Sequence, residues 1–267
     1  MSYVPLDGRP WHHAMGLRPL DLSGWLEFGD DADDQIANKR RLLIENRDEV
    51  LSVRAGSHAA CAELLDEIRV NLREFHPERP ADAVGDDDLL AAASLLVPED
   101  LCVMVNVDGQ WTLEAACVCA PSRWRLSDKI ATSIDAIHSP VPGYAEDLAP
   151  ATRRFFDRLA DRAFWRLNWT LLDDPALFQP TPSRRPVSDD PNEWLFRVER
   201  QTLRRLRKSG AVIFTIRTYV TVARELVDSV ENFATDVRTV LASAPDDTLN
   251  YKGWQHLAAR WSSWYPN

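Results

Sequence analysis

Cysteine is scarce in this 267-residue chain, and the four that occur, Cys61, Cys102, Cys117 and Cys119, form no CxxC pair. That spacing suggests neither a zinc cage nor a secreted disulfide framework and fits reduced thiols in a cytoplasmic protein. Positive charge is also in deficit: 31 Lys and Arg face 41 Asp and Glu, a formal net charge of −10. Such a field poorly serves a protein that tracks phosphates, so nucleic acid is not an expected partner. No apolar run approaches the roughly 20 residues needed to span a bilayer, and no basic segment precedes an apolar one at the N-terminus. Neither membrane insertion nor export is expected.

What the chain does have is a hydrophobic fraction of 45%, enough to build a core without staples, and ten tryptophans. Trp165, Trp169 and Trp194 fall in or beside strand-like runs, where they serve a core or the wall of a pocket for a large flat ligand. Residues 1–29 read as an extended arm. Apolar spacing predicts helices over 30–53 and 59–75, and a loop rich in Pro, Gly and acidic residues over 76–88. Asp108-Gly109 between two apolar runs predicts a hairpin, because a type I′ turn needs positive φ at both central residues. Helices are predicted over 127–137 and 145–159, strands over 164–172, 194–206 and 211–222, and helices over 223–241 and 249–264. Two strands, a helical middle and three strands describe an α+β protein. The order matches a PAS-like antiparallel sheet with helical N-terminal and C-terminal additions, although other α+β sheets permit it too.

The hairpin 197–219 carries the densest polar chemistry. If its turn is centred on Ser209, Glu199 lies opposite Tyr219 and Gln201 opposite Arg217, and all four share a face. A carboxylate, an amide, a guanidinium and a phenol there can orient a small ligand or move protons; a solvated face of cross-strand ion pairs is the alternative. His138 ends a predicted helix before the rigid Ser139-Pro140-Val141-Pro142-Gly143. A neutral imidazole held in that way can ligate haem iron, or it can simply cap the helix. Cys117 and Cys119 share a strand face, as small buried hydrophobes or as alternative thiolate ligands. Arg123 and Trp124 follow that strand, where an arginine can pair with an acidic ligand group or lie at the surface.

Several strings, in order along the chain, resemble the family of haem-dependent oxidative N-demethylase α subunits. They are Leu17-Arg-Pro-Leu-Asp21, Lys39-Arg-Arg-Leu-Leu43, Pro98-Glu-Asp-Leu101, Pro121-Ser-Arg-Trp-Arg125, Ile137-His-Ser-Pro-Val-Pro-Gly143, Trp165-Arg-Leu-Asn-Trp169, Val198-Glu-Arg-Gln-Thr-Leu203, Phe214-Thr-Ile-Arg-Thr-Tyr219 and Tyr251-Lys-Gly253. The resemblance implies a single haem-binding PAS-like domain over 1–267, with a helical part over 1–97, a PAS-like core over 98–222 and C-terminal helices over 223–267. It implies haem b, its iron activating dioxygen to hydroxylate an N-methyl group of a small amine, with release of formaldehyde. Electrons would come from NADPH through separate flavin and iron–sulfur reductase subunits, since the chain has neither a Gly-rich dinucleotide loop nor an iron–sulfur cysteine spacing. The roles expected are Glu199 to attract the ammonium or relay protons, Tyr219 to donate a hydrogen bond and Arg217 to set the charge of Glu199. His138 is the expected axial ligand, with Cys119 or a tyrosine as fallback, and Arg123, Trp124 and Gln201 are expected at the cofactor. The competing reading is a haem- or small-ligand-binding PAS-like sensor or interaction module without turnover.

Overall fold

The computed structural model describes residues 3–82, 86–182 and 185–266. Its centre is an antiparallel sheet of seven strands: β1 (Arg18–Leu20), β2 (Leu51–Val53), β3 (Asp100–Val107), β4 (Gln110–Cys117), β5 (Ala163–Leu172), β6 (Leu195–Arg205) and β7 (Val212–Val222). They lie in the order β1-β5-β6-β7-β3-β4-β2. The two outer strands come from the N-terminal part of the chain, so that part is stitched to both edges. Asp108 and Gly109 both have positive φ, as the predicted hairpin turn requires.

Ten α-helices are described around the sheet: α1 (Ala32–Glu45), α2 (Arg47–Val50), α3 (His58–Phe75), α4 (Leu89–Ser94), α5 (Ile134–His138), α6 (Ala149–Arg158), α7 (Ala223–Ser229), α8 (Phe233–Ser243), α9 (Asp246–Lys252) and α10 (Gln255–Trp264). The apolar stripe of α3, with Leu64, Leu65, Ile68 and Leu72, packs with Leu90 of α4 onto Leu101, Val103, Ala115 and Ile213. This is the first face of the sheet. Farther along it, Phe196 and Val198 are covered by Phe233, Val237, Trp254 and Trp261 of the C-terminal helices. On the second face Cys102, Met104, Leu203 and Val212 pack with Ile134 and Phe156 from the helical middle.

Four boundaries differ from the sequence prediction, each where tertiary contacts override local propensity. The helix predicted over 30–53 ends early, because Leu51–Val53 pair with Ala115–Cys117 and take edge hydrogen bonds. The helix predicted over 127–137 shrinks to its last turn. Ala131, at φ 60°, donates to the Leu113 carbonyl, and Leu113 donates back to Thr132, so the segment is zipped to β4. The helix predicted over 223–241 breaks at Asn232 (φ 63°), and the last one breaks at Gly253 (φ 69°). The loop predicted over 76–88 includes residues 83–85, which lie outside the described residues. Among the described residues no helix is long and apolar enough to cross a membrane.

Candidate functional site

The β6–β7 turn decides which side chains can meet. Arg205 pairs with Val212, and Leu206 donates to the Ala211 carbonyl, so the centre falls between Lys208 and Ser209, not on Ser209. That half-residue shifts every partner by one. Glu199 lies opposite Thr218, Gln201 opposite Ile216, Val198 opposite Tyr219 and Arg200 opposite Arg217. Side chains alternate along a strand, so Arg217 and Tyr219 lie on the first face and Glu199 and Gln201 on the second. The expected convergence of all four is therefore corrected. Its cause sits in α3: both Glu63 carboxylate oxygens accept turn N–H groups, from Lys208 and Ser209, each at 2.7 Å. They fix a four-residue loop that Gly210 closes at φ 72°.

On the first face Arg217 and Tyr219 belong to a closed network with the N-terminal arm. Arg217 is fully buried, pairs with Asp31 and donates through Nε to the Glu27 carbonyl at 3.3 Å. Tyr219 donates to Glu27 Oε2 at 2.6 Å, while Tyr3 and Arg200 hold the other oxygen. The Glu27 N–H in turn donates to buried Glu99 at 2.8 Å. Burial, reinforced by Glu27, pushes the Tyr219 phenol far up, so it stays protonated.

On the second face Glu199 accepts from Asn168 Nδ2 at 3.2 Å and Gln201 Nε2 at 3.1 Å, and Arg197 Nε lies 3.4 Å away. Asn168 is its cross-strand partner on β5, and Arg166 stands two residues earlier on the same face. The Arg166 guanidinium is partly buried; burial pulls its pKa down and the Glu199 charge opposes that. His138 ends α5, whose start Ser133 caps by accepting the Ala136 N–H. Its Nδ1 lies 2.8 Å from the Ile134 carbonyl, and its ring stacks on Tyr144 with centroids 4.9 Å apart. Burial drives its pKa down, and the Arg166 charge adds to that. The ring is thus neutral, and a carbonyl partner makes Nδ1 the donor and leaves the Nε2 lone pair for a ligand. At the C-terminal side, Lys252 ends α9 just before the break at Gly253. Its Nζ donates to the Trp169 carbonyl at 2.9 Å and lies over the Trp254 and Trp11 rings, 5.0 and 5.5 Å from their centroids. Burial brings its pKa down to about 8, and it feels both Glu199 and Arg166 electrostatically.

Of the residues expected at the site, the second face therefore carries Glu199 and Gln201, with His138 coupled to the same charges through Arg166. Trp124 packs against the second-face core. Arg123, in a left-handed conformation at φ 63°, is taken up by Asp173 just beyond β5 at 3.4 Å. Cys117 and Cys119 are buried among the first-face helices, across the sheet from the helical middle that carries His138. Arg166, Asn168 and Lys252 lie within strings that carry the family resemblance but were given no role by the sequence. The alternation Arg166, Asn168, Thr170 between Trp165, Leu167, Trp169 and Leu171 marked a polar strand face that could have found the first two. Lys252 is marked only by its place in Tyr251-Lys-Gly253.

Among the described residues no group of three or more His, Cys, Asp or Glu could hold a bare metal ion. A lone neutral imidazole with an oriented Nδ1, near unspent positive charge, is instead the donor set that suits the iron and carboxylates of a haem. The model of one protein family, described as haem-dependent oxidative N-demethylase, alpha subunit-like, matches residues 16–261.

Proposed function

The chain belongs to the haem-dependent oxidative N-demethylase α-subunit-like family, and from that premise we propose that it binds haem b on the second face of the sheet. There it oxidatively demethylates a small methylated amine and releases formaldehyde. The order of strands β3 to β7, with the last strand central beside the first, and the helical middle laid over one face support a PAS-like reading of the fold. His138 would hold the haem iron, and its orientation, with Nδ1 on the Ile134 carbonyl, is the observation that carries this reading. When bound, haem supplies the dioxygen chemistry, and the family description implies other subunits. NADPH electrons would arrive through separate flavin and iron–sulfur partners in the cytoplasm.

The chain's own residues bind and orient the amine. Asn168 and Gln201 hold the Glu199 carboxylate, which draws the ammonium and can keep the proton that it gives up. Arg197 pairs with that carboxylate, the place first expected of Arg217. Arg217 and Tyr219 instead brace the sheet from behind through Glu27 and Asp31.

Replacing Glu199 with Gln keeps the shape and removes the charge, so haem stays bound while a cationic amine binds more weakly. A charge-assisted contact contributes roughly 1.5–3 kcal/mol, about tenfold to a hundredfold in affinity. Titrating dimethylamine against the haem spectrum of both proteins at one pH and ionic strength measures this. Equal affinities would remove Glu199 from the site and favour a haem-binding sensor without turnover.

A further inference from the structure

Most arginines that β6 and β7 bury already have an acidic partner. Arg197 has Glu199, Arg200 has Glu27, Arg204 has Glu67 and Arg217 has Asp31. Arg166, half-buried on the second face of β5, makes no hydrogen bond or ion pair with any described residue, and its Nε is shut off from solvent. The nearby carboxylate of Glu199 is occupied by Asn168, Gln201 and Arg197. An unpaired, partly buried guanidinium is costly, and a protein gains nothing from it unless something else supplies the anion. Lys252, held over the Trp254 ring of the first-face cluster, adds a second positive charge that both Glu199 and Arg166 feel, with one donor spent on the Trp169 carbonyl. Three cations, Arg166, Arg197 and Lys252, thus act on one carboxylate, Arg197 from 3.4 Å and the other two through longer-range attraction.

We propose that Arg166, backed by Lys252, anchors a carboxylate of the bound ligand. The inference rests on the haem reading of this face and deepens it. A planar guanidinium fork offers two parallel N–H groups to a carboxylate, and an ammonium beside it adds a point charge. Two sources present that chemistry here: a propionate of the haem, or the acid group of an N-methyl amino acid whose ammonium meets Glu199.

The test compares wild type with Arg166→Leu, Arg166→Lys and Lys252→Met. Haemin and its dimethyl ester, which lacks free carboxylates, are titrated into the ligand-free protein, and N-methylglycine and dimethylamine into the haem-loaded protein. A propionate anchor gives wild type a tenfold or greater preference for haemin over the ester, lost in Arg166→Leu, reduced in Lys252→Met and partly restored by Arg166→Lys. A substrate anchor gives equal porphyrin affinities but the same pattern of preference for N-methylglycine over dimethylamine. Ligand-free Arg166→Leu melts no lower than wild type, because an uncompensated charge has been removed; a bracing role predicts a lower melting temperature. Porphyrin binding with no preference that depends on Arg166, or a clear loss of ligand-free stability, overturns the anchor. Failure of every variant to bind either porphyrin overturns the haem reading itself.

Discussion

Lys252 shows how a single side chain takes its chemistry from burial. With its ammonium over two indole faces and its pKa near 8, it is charged at neutral pH and neutral in mild alkali. If it backs a carboxylate, ligand affinity falls as pH rises through about 8. In Lys252→Met that component disappears, which haemin or N-methylglycine titrations at pH 7 and pH 9 measure. Stability carries the opposite slope. The unfolded lysine titrates near its ordinary 10.5, so between about 8 and 10.5 the unfolded chain binds more protons and this group's contribution to stability rises with pH. At this scale much was legible in the sequence. Glu199 and His138 stood out because a carboxylate on a strand and an imidazole before a rigid turn are chemically conspicuous. Arg166 did not, because what sets it apart is an absent partner, and absence shows only once the strands are placed.

Register is the decisive property at the scale of elements. The strands themselves were legible: 164–172, 194–206 and 211–222 were predicted, and Ala163–Leu172, Leu195–Arg205 and Val212–Val222 are observed. Their phase was not, because it depends on Glu63, a residue of α3 remote in sequence that grips the turn. Removing it tests that explanation. Burial alone would raise the Glu63 pKa, but the turn N–H groups of Lys208 and Ser209 outweigh it and hold the carboxylate below its ordinary range. Glu63→Ala therefore costs about 1.5–3 kcal/mol in urea unfolding at pH 7. The group's folded pKa is depressed, so its stabilisation is full above the unfolded value and is lost as pH falls through the folded one. The gap between the two proteins narrows in acid. A gap that stays constant with pH would show that Glu63 acts by packing alone. The breaks at Asn232 and Gly253 follow the same lesson in the helices, since propensity ran through both positions while packing did not. The second break leaves Lys252 at a helix end beside the site.

Over the whole molecule the sheet separates two tasks. The first face holds the N-terminal helices and the network of Glu27, Arg200, Arg217 and Tyr219; the second holds His138, Arg166 and Glu199, and Lys252 feels the last two charges from its seat over Trp254. The first side carries ion pairs formed within the chain, and the second keeps an arginine without a described ion-pair partner and a neutral imidazole. That asymmetry, together with the family match over 16–261, is why the second face is assigned to haem. The most direct measurement is an absorption titration of purified protein with haemin, oxidised and then reduced under carbon monoxide, on wild type and His138→Ala. The account predicts one haem per chain with a Soret band in wild type, and weaker binding or a shifted reduced carbon monoxide spectrum in His138→Ala, because the iron loses its nitrogen ligand. A wild-type protein that takes up no haemin, or a His138→Ala protein with unchanged spectrum and affinity, would contradict it.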